Sequence, residues 1–249
     1  MEVGQRGCAD WALAHPCRLC TSTQVSHFHR DKKREYLVCA ACGLVFVPDR
    51  FFLSSADEKA LYDLHENVPG DTRYQQFLSR ATVPLTEYLA TTQSAASPGC
   101  VRRGLDFGCG PAPVLASMLA AEPHNCSMDV YDLFYFPDSK ECLAREGYYD
   151  FITATEVVEH LQDPLSVLRQ LWSCLRQDGG ALVIMTKRVD GAIERFRNWH
   201  YIRDPTHITF FHERSFAWLA QALPSTSGEH CEVRFVAADV VLLIKTTRP

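Results

Sequence analysis

The chain has 249 residues, 47% of them hydrophobic and 22% charged, with a formal net charge of -5. That balance suits a globular protein with one good core and a small appendage, and it argues against a general polyanion binder. The opening "MEVGQRGCADW" has no basic cap ahead of an apolar run, and the longest apolar runs, "ALVIM" and "VVLLI", are too short for a bilayer, so a cytoplasmic protein without a membrane partner is expected.

Eleven cysteines in a chain with no export signal point to reduced thiols. Four are arranged as two CxxC pairs, Cys17 with Cys20 and Cys39 with Cys42, separated by 18 residues. Each pair can turn two thiolates to one side, and two such knuckles make a closed tetrahedral site for a structural zinc ion. Four unlinked core cysteines or two disulfides are the alternatives. Between the pairs, "VSHFHRDKKREYLV" reads as a hairpin. Its basic centre could grip RNA, although a charge run of this kind is more often a solvated face.

Two helices follow. "SSADEKALYDLHENVPG" takes Ser55 as N-cap, has Asp57 and Glu58 in its first turn and stops at Pro69-Gly70. "DTRYQQFLSRATVPLTEYLA" places Tyr74, Phe77, Leu78, Ala81, Leu85, Tyr88 and Leu89 on one stripe, with Pro84 expected to bend it. Tyr62, His65 and Asn67 could reach a ligand.

From residue 102 strands and helices alternate: "RGLDFG", "APVLASMLAAE", "SMDVYD", "SKECLAREG", "YDFITATE", "PLSVLRQLWSCLRQDGG", "ALVIMTK", "ERSFAWLAQAL" and a final strand pair in "EVRFVAADVVLLIKT". This pattern predicts an α/β fold with a Rossmann-like, doubly wound, mainly parallel sheet, whose ligands sit beyond the carboxyl ends of the strands. The expected units are a zinc-ribbon-like lobe over 1–54, linking helices over 55–98 and the α/β body over 99–249.

"GLDFGCGPAP" departs from a dinucleotide fingerprint, because Pro113 stands where the third glycine belongs. Asp106, at the strand end, would repel a pyrophosphate but suits a positively charged ligand. Here the chain resembles the class I S-adenosylmethionine (SAM) methyltransferases, whose first motif is acidic-x-G-x-G. The resemblance also rests on Asp132 ending "MDVYD", on "YDFITATEVVEH" and on the Gly-Gly turn in "LRQDGGALVIMT". It implies a cofactor site formed by Asp106, Phe107, Gly108, Cys109, Gly110, Asp132, Leu133, Thr155 and Glu156, with Asp132 on the ribose hydroxyls. Between Asp132 and Asp150 there is too little chain for the family's helix, third strand and helix, so the sheet should be shortened there. Phe134, Tyr135 and Phe136 are the candidates for an aromatic wall in its place.

The methyl acceptor should lie near His160, Glu159, Tyr201 and His207, with His160 the first candidate for general base and His207 the second. A helix-surface pairing of His160 with Glu156 is the competing structural role. The leading expectation is transfer to an oxygen or carbon of a small molecule, a combination that resembles sugar C-methyltransferases carrying a cysteine-rich N-terminal zinc lobe. The alternatives are an RNA methyltransferase that grips its substrate with the ribbon, and a non-enzymatic ribbon-based interaction protein.

Overall fold

The computed structural model describes residues 15–64, 70–92 and 101–247. His65 and Asn67 lie outside these residues, as does Pro69 of the expected helix stop. The body is built on a six-stranded sheet. Four strands are parallel: β4 (Arg103–Phe107), β5 (Ser127–Tyr131), β6 (Phe151–Thr155) and β7 (Gly180–Met185). The last two, β9 (Glu229–Phe235) and β10 (Val240–Thr247), form an antiparallel pair, giving the order β5-β4-β6-β7-β10-β9.

Both faces of this sheet are covered, and residue parity decides which face each side chain serves. Ala181, Val183 and Met185 pack with Leu78, Ala81 and Leu85 of α2 (Thr72–Thr92) and with Leu115 and Leu119 of α3 (Val114–Ala120). The alternate residues Leu182 and Ile184 pack with Leu168 and Trp172 of α4 (Pro164–Cys174) and with Phe216 and Leu219 of α6 (Glu213–Ala222). Helix α2 continues through Pro84.

Several expected boundaries move for local reasons. Helix α1 (Ser55–Tyr62) is capped by Ser54, not Ser55, because the Ser54 hydroxyl accepts the Asp57 N–H at 3.2 Å. Helix α4 ends at Cys174, so the Gly179-Gly180 turn starts β7 and is not a helix stop. "SKECLAREG" forms a 3-10 coil over Pro137–Ala144 in place of an α-helix. A 3-10 coil rises about 2.0 Å per residue against 1.5 Å, which suits a short segment that must return the whole length of the sheet. The shortening itself is present: β5 is an edge strand, and Asp132 to Asp150 contains that coil and residues of two isolated bridges, Asp132 with Phe136 and Tyr149 with Leu175.

The cysteine lobe has a sheet of its own, in the order β1 (Val25–Arg30), β2 (Glu35–Cys39), β3 (Val45–Phe46) and β8 (Thr209–Phe210). Its last strand comes from the body, so lobe and body share one sheet. Buried Arg34 strengthens this joint by donating to the carbonyls of Ile202, Asp204, Pro205 and His207 at 2.6 to 3.0 Å. Ser215 Oγ, at the start of α6, donates to the Cys42 carbonyl at 3.0 Å. The centre of "RDKKRE" is thus divided: Lys32 and Lys33 are exposed, whereas Arg34 is a buried brace.

Candidate active site

A cleft of about 970 Å³ opens at the carboxyl ends of β4, β5 and β6. Its floor is the glycine turn. Gly108 and Gly110 both adopt positive φ, +74° and +68°. A Cβ on Gly108 would stand 2.4 Å from a Val157 methyl, whereas one on Gly110 would meet nothing within 4 Å. The first glycine therefore allows close packing against the turn after β6, and the second leaves backbone bare to the cleft. The Gly108 N–H donates to the Tyr131 carbonyl at 2.7 Å, and the Gly110 N–H to Asp132 Oδ2 at 3.0 Å.

Asp132 also accepts the N–H groups of Phe134 and Tyr135, at 2.8 and 3.1 Å. It thereby fixes the turn that carries Leu133, Phe134 and Tyr135 into the cleft wall, while Phe136 bridges back to Asp132. Phe107, Cys109, Thr155 and Glu156 complete this half. Burial raises the Cys109 thiol, which lies against the carboxylates of Asp106 and Asp132. Asp106 does not reach the cleft surface. It is 3% exposed, accepts the Thr153 hydroxyl at 2.8 Å, and burial lifts its carboxyl to about 6.

The opposite half is built by the 3-10 turn Val158–His160 and the segment 199–207. The Ile208 N–H donates to the Glu159 carbonyl and Thr209 Oγ1 to the Val158 carbonyl, both at 2.8 Å, which joins the two segments. His160, Tyr201 and His207 line the cleft with their rings in successive contact: His160 meets His207 edge-on at 4.8 Å between centroids, and His207 meets Tyr201 at a tilt, 4.0 Å away. His160 Nδ1 lies 3.2 Å from the Thr206 carbonyl. The turn it occupies is not the helix that an i,i+4 pairing with Glu156 would require.

Glu159 is wholly buried behind this wall and accepts a hydrogen bond from the Tyr201 hydroxyl. Burial, aided by the charge of Glu156, pushes its carboxyl up to about 8. Glu156 holds a left-handed backbone at φ +51°, and burial raises its carboxyl to about 7 against the pull of Lys187. One oxygen of each carboxyl, Glu156 Oε1 and Glu159 Oε2, is buried without a hydrogen-bond partner, as is Thr155 Oγ1.

Tyr62 of α1, expected to reach a ligand, does line the cleft. Beside it Glu58 of α1, and Tyr74 and Phe77 of α2, close one side without having carried a clear signal in the sequence. The last two sit on the apolar stripe of α2, but only half-buried, at the end where the stripe runs past the core. Lys187 and His200 meet at the rim, Nζ to Nε2 2.7 Å.

The four cysteines of the lobe stand apart from the cleft. Their sulfurs all lie within 4.8 Å of one another, with Cys17–Cys42 at 3.5 Å and Cys20–Cys39 at 3.4 Å. These separations are too long for disulfides and suit four ligands around one tetrahedral ion.

A family described as a methyltransferase domain matches residues 73–223. The chain belongs to this methyltransferase family. No curated protein matches it. Among solved structures it is similar to the mitomycin 7-O-methyltransferase MmcR, with 15% identity over 72% of this chain and 59% of that one, and a TM-score of 0.43. An O-methyltransferase family protein from Burkholderia thailandensis gives 16% identity, 76% and 63% coverage and 0.46. A SAM-dependent methyltransferase from Archaeoglobus fulgidus gives 20%, 66% and 78%, and 0.39. The chain spans only 59% and 63% of the length of the first two, and likenesses this distant carry no argument about substrate. Among the described residues, no helix is long and apolar enough to cross a membrane.

The methyltransferase's glycine turn fits the donor on its own terms. Bare backbone at Gly110, the orphaned Thr155 hydroxyl and Glu156 oxygen, and the acidic groups around the turn offer hydrogen-bonding capacity to a polar, cationic molecule.

Proposed function

We propose that this enzyme methylates an oxygen or carbon of a small-molecule acceptor, with His160 and His207 assisting removal of the acceptor's proton. The observation that carries this reading is that the glycine turn and the His160–His207–Tyr201 ring cluster line one cleft. When bound, SAM supplies an electrophilic methyl group on a positively charged sulfur. Gly108, Cys109 and Gly110 would hold it with backbone, Phe107 and Leu133 with apolar surface, and Asp132, Thr155 and Glu156 with polar atoms. Asp106 acts from behind by locking β4 to β6 through Thr153. The aromatic sides Tyr62, Tyr74 and Phe134 exclude water from the acceptor and orient it. Burial lowers the His207 imidazole's proton affinity, which keeps it neutral near pH 7.

We read the four cysteines as ligands of one structural zinc ion in a lobe over 1–54, followed by linking helices over 55–98 and the catalytic body over 99–249. The lobe then has a positioning role, since Arg34 holds the carbonyls of the same 202–207 segment that presents His207. This counts against an RNA grip, because the central arginine of the basic run is spent inside the protein.

The test is calorimetric SAM binding followed by transfer of labelled methyl into a fractionated cell extract. Label in the metabolite fraction is expected. Label in RNA overturns the acceptor assignment, and absence of SAM binding overturns the whole reading.

A further inference from the structure

Glu159, His160 and His207 each offer one ligand atom, and these three atoms lie within 4.8 Å of one another. Two of them are neighbours on the turn after β6, and the third arrives from 47 residues further along the chain, on the segment that β8 anchors. Two further observations give the grouping chemical meaning. Glu159 is 0% exposed and its Oε2 is a buried oxygen without a hydrogen-bond partner, although Oε1 is satisfied by Tyr201. A carboxylate oxygen left in this state costs stability unless something else fills it. In addition, the Nδ1 atoms of both imidazoles face backbone carbonyls, His207 to Tyr201 at 2.8 Å and His160 to Thr206 at 3.2 Å. That arrangement makes Nε2 the basic nitrogen of each ring, as in metal-bound histidines, and on His207 this atom lies 3.8 Å from Asp204 Oδ2.

We propose that Glu159, His160 and His207 hold a divalent cation at the acceptor end of the cleft. One carboxylate and two imidazoles suit first-row divalent ions such as Mn2+, Fe2+ or Co2+, and three protein ligands leave positions open. Resting on the reading of this cleft as the methyl-acceptor site, the open positions take the acceptor hydroxyl. Binding to the cation would lower the pKa of the hydroxyl and ease the loss of its proton to water. Its oxygen then forms the bond to the methyl carbon while the carbon–sulfur electron pair returns to sulfur, and nothing is oxidised or reduced. The histidines thus assist deprotonation as ligands. Glu156, linked to the same Tyr201 hydroxyl at 3.5 Å, borders the site on the donor side.

The test uses the full chain with its cysteine site already filled by zinc. Mn2+ is titrated in and the free ion is followed by electron paramagnetic resonance, with a parallel Co2+ titration read by visible absorption. A single Mn2+ site is expected, together with weak Co2+ bands lacking the intense thiolate charge-transfer absorption. Glu159→Gln and His207→Ala should each weaken Mn2+ binding by about tenfold or more. Zinc content and melting temperature report whether each variant folds. Binding of neither ion, or unchanged binding in both folded variants, overturns the proposal. SAM calorimetry on the same preparation separates the two readings: SAM binding and EDTA-resistant methyl transfer without a bound cation would sink this inference alone.

Discussion

Glu229 and Glu159 are both buried, at 5% and 0% exposure, and their surroundings treat them in opposite ways. Glu229, at the start of β9, meets Lys245 Nζ at 2.8 Å, Trp172 Nε1 at 3.0 Å and the Ser225 N–H at 2.7 Å. Burial alone would raise its carboxyl, but these donors hold it down to about 2. Glu159 has the Tyr201 hydroxyl on one oxygen and an orphan on the other, and burial with the neighbouring Glu156 pushes it up to about 8. A buried charge with a full set of donors fastens α4 to the β9–β10 edge. The same side chain at the cleft wall is left incomplete, which is the usual condition of a group kept for a ligand.

The largest effect should come from breaking the satisfied pair. Lys245→Met removes the counter-charge from Glu229 and also a donor to the Trp172 and Leu175 carbonyls. A cost of about 3–5 kcal/mol in unfolding free energy is expected from leaving one buried charge unpaired. Urea denaturation at pH 7 measures it, and a cost under about 1 kcal/mol would mean that the pair contributes as little as a surface bridge.

Next in size is a pH effect at the same pair. The folded carboxyl of Glu229 titrates near 2 against an ordinary 4.5. Because the folded value is the lower one, its contribution is present above pH 4.5 and fades as the pH falls towards 2. That contribution is about 3 kcal/mol at most, since one pKa unit corresponds to roughly 1.4 kcal/mol. The stability gap between the wild type and Glu229→Gln should therefore narrow steadily from pH 5 to pH 3. A gap that is constant over this range would place the stabilisation in shape rather than charge.

The two halves of the cleft differed in how openly the sequence displayed them. The donor half is local: Asp106, Gly108 and Gly110 lie within five residues, at and just past the end of β4. The cysteine cluster is nearly as open, because two CxxC spacings define it before any folding is considered. The acceptor half is assembled by backbone pairing between distant turns, Ile208 N–H to the Glu159 carbonyl, and no periodicity encodes that. Strands β3 and β8 have two residues each, too short to show alternation, so the fusion of lobe and body was invisible. Arg34 taught the same lesson, since a charge run gives no sign of which member turns inward.

The smallest expected change is the one that completes the contrast. Glu159→Gln keeps the shape of the side chain, and its amide can still meet the Tyr201 hydroxyl. Unlike Glu229, this carboxyl has no cationic partner among its hydrogen bonds, so the substitution strands no opposite charge. It removes an ionisable group that burial already disfavours. Stability at pH 7 should change by less than about 1 kcal/mol, in either direction. The same replacement at Glu229 should cost several times more, because it leaves the Lys245 ammonium buried against a neutral amide. Thermal denaturation of both variants reads the contrast directly. If Glu159→Gln proves as costly as Glu229→Gln, Glu159 is a structural anchor like its counterpart, and its unfilled oxygen has no functional meaning.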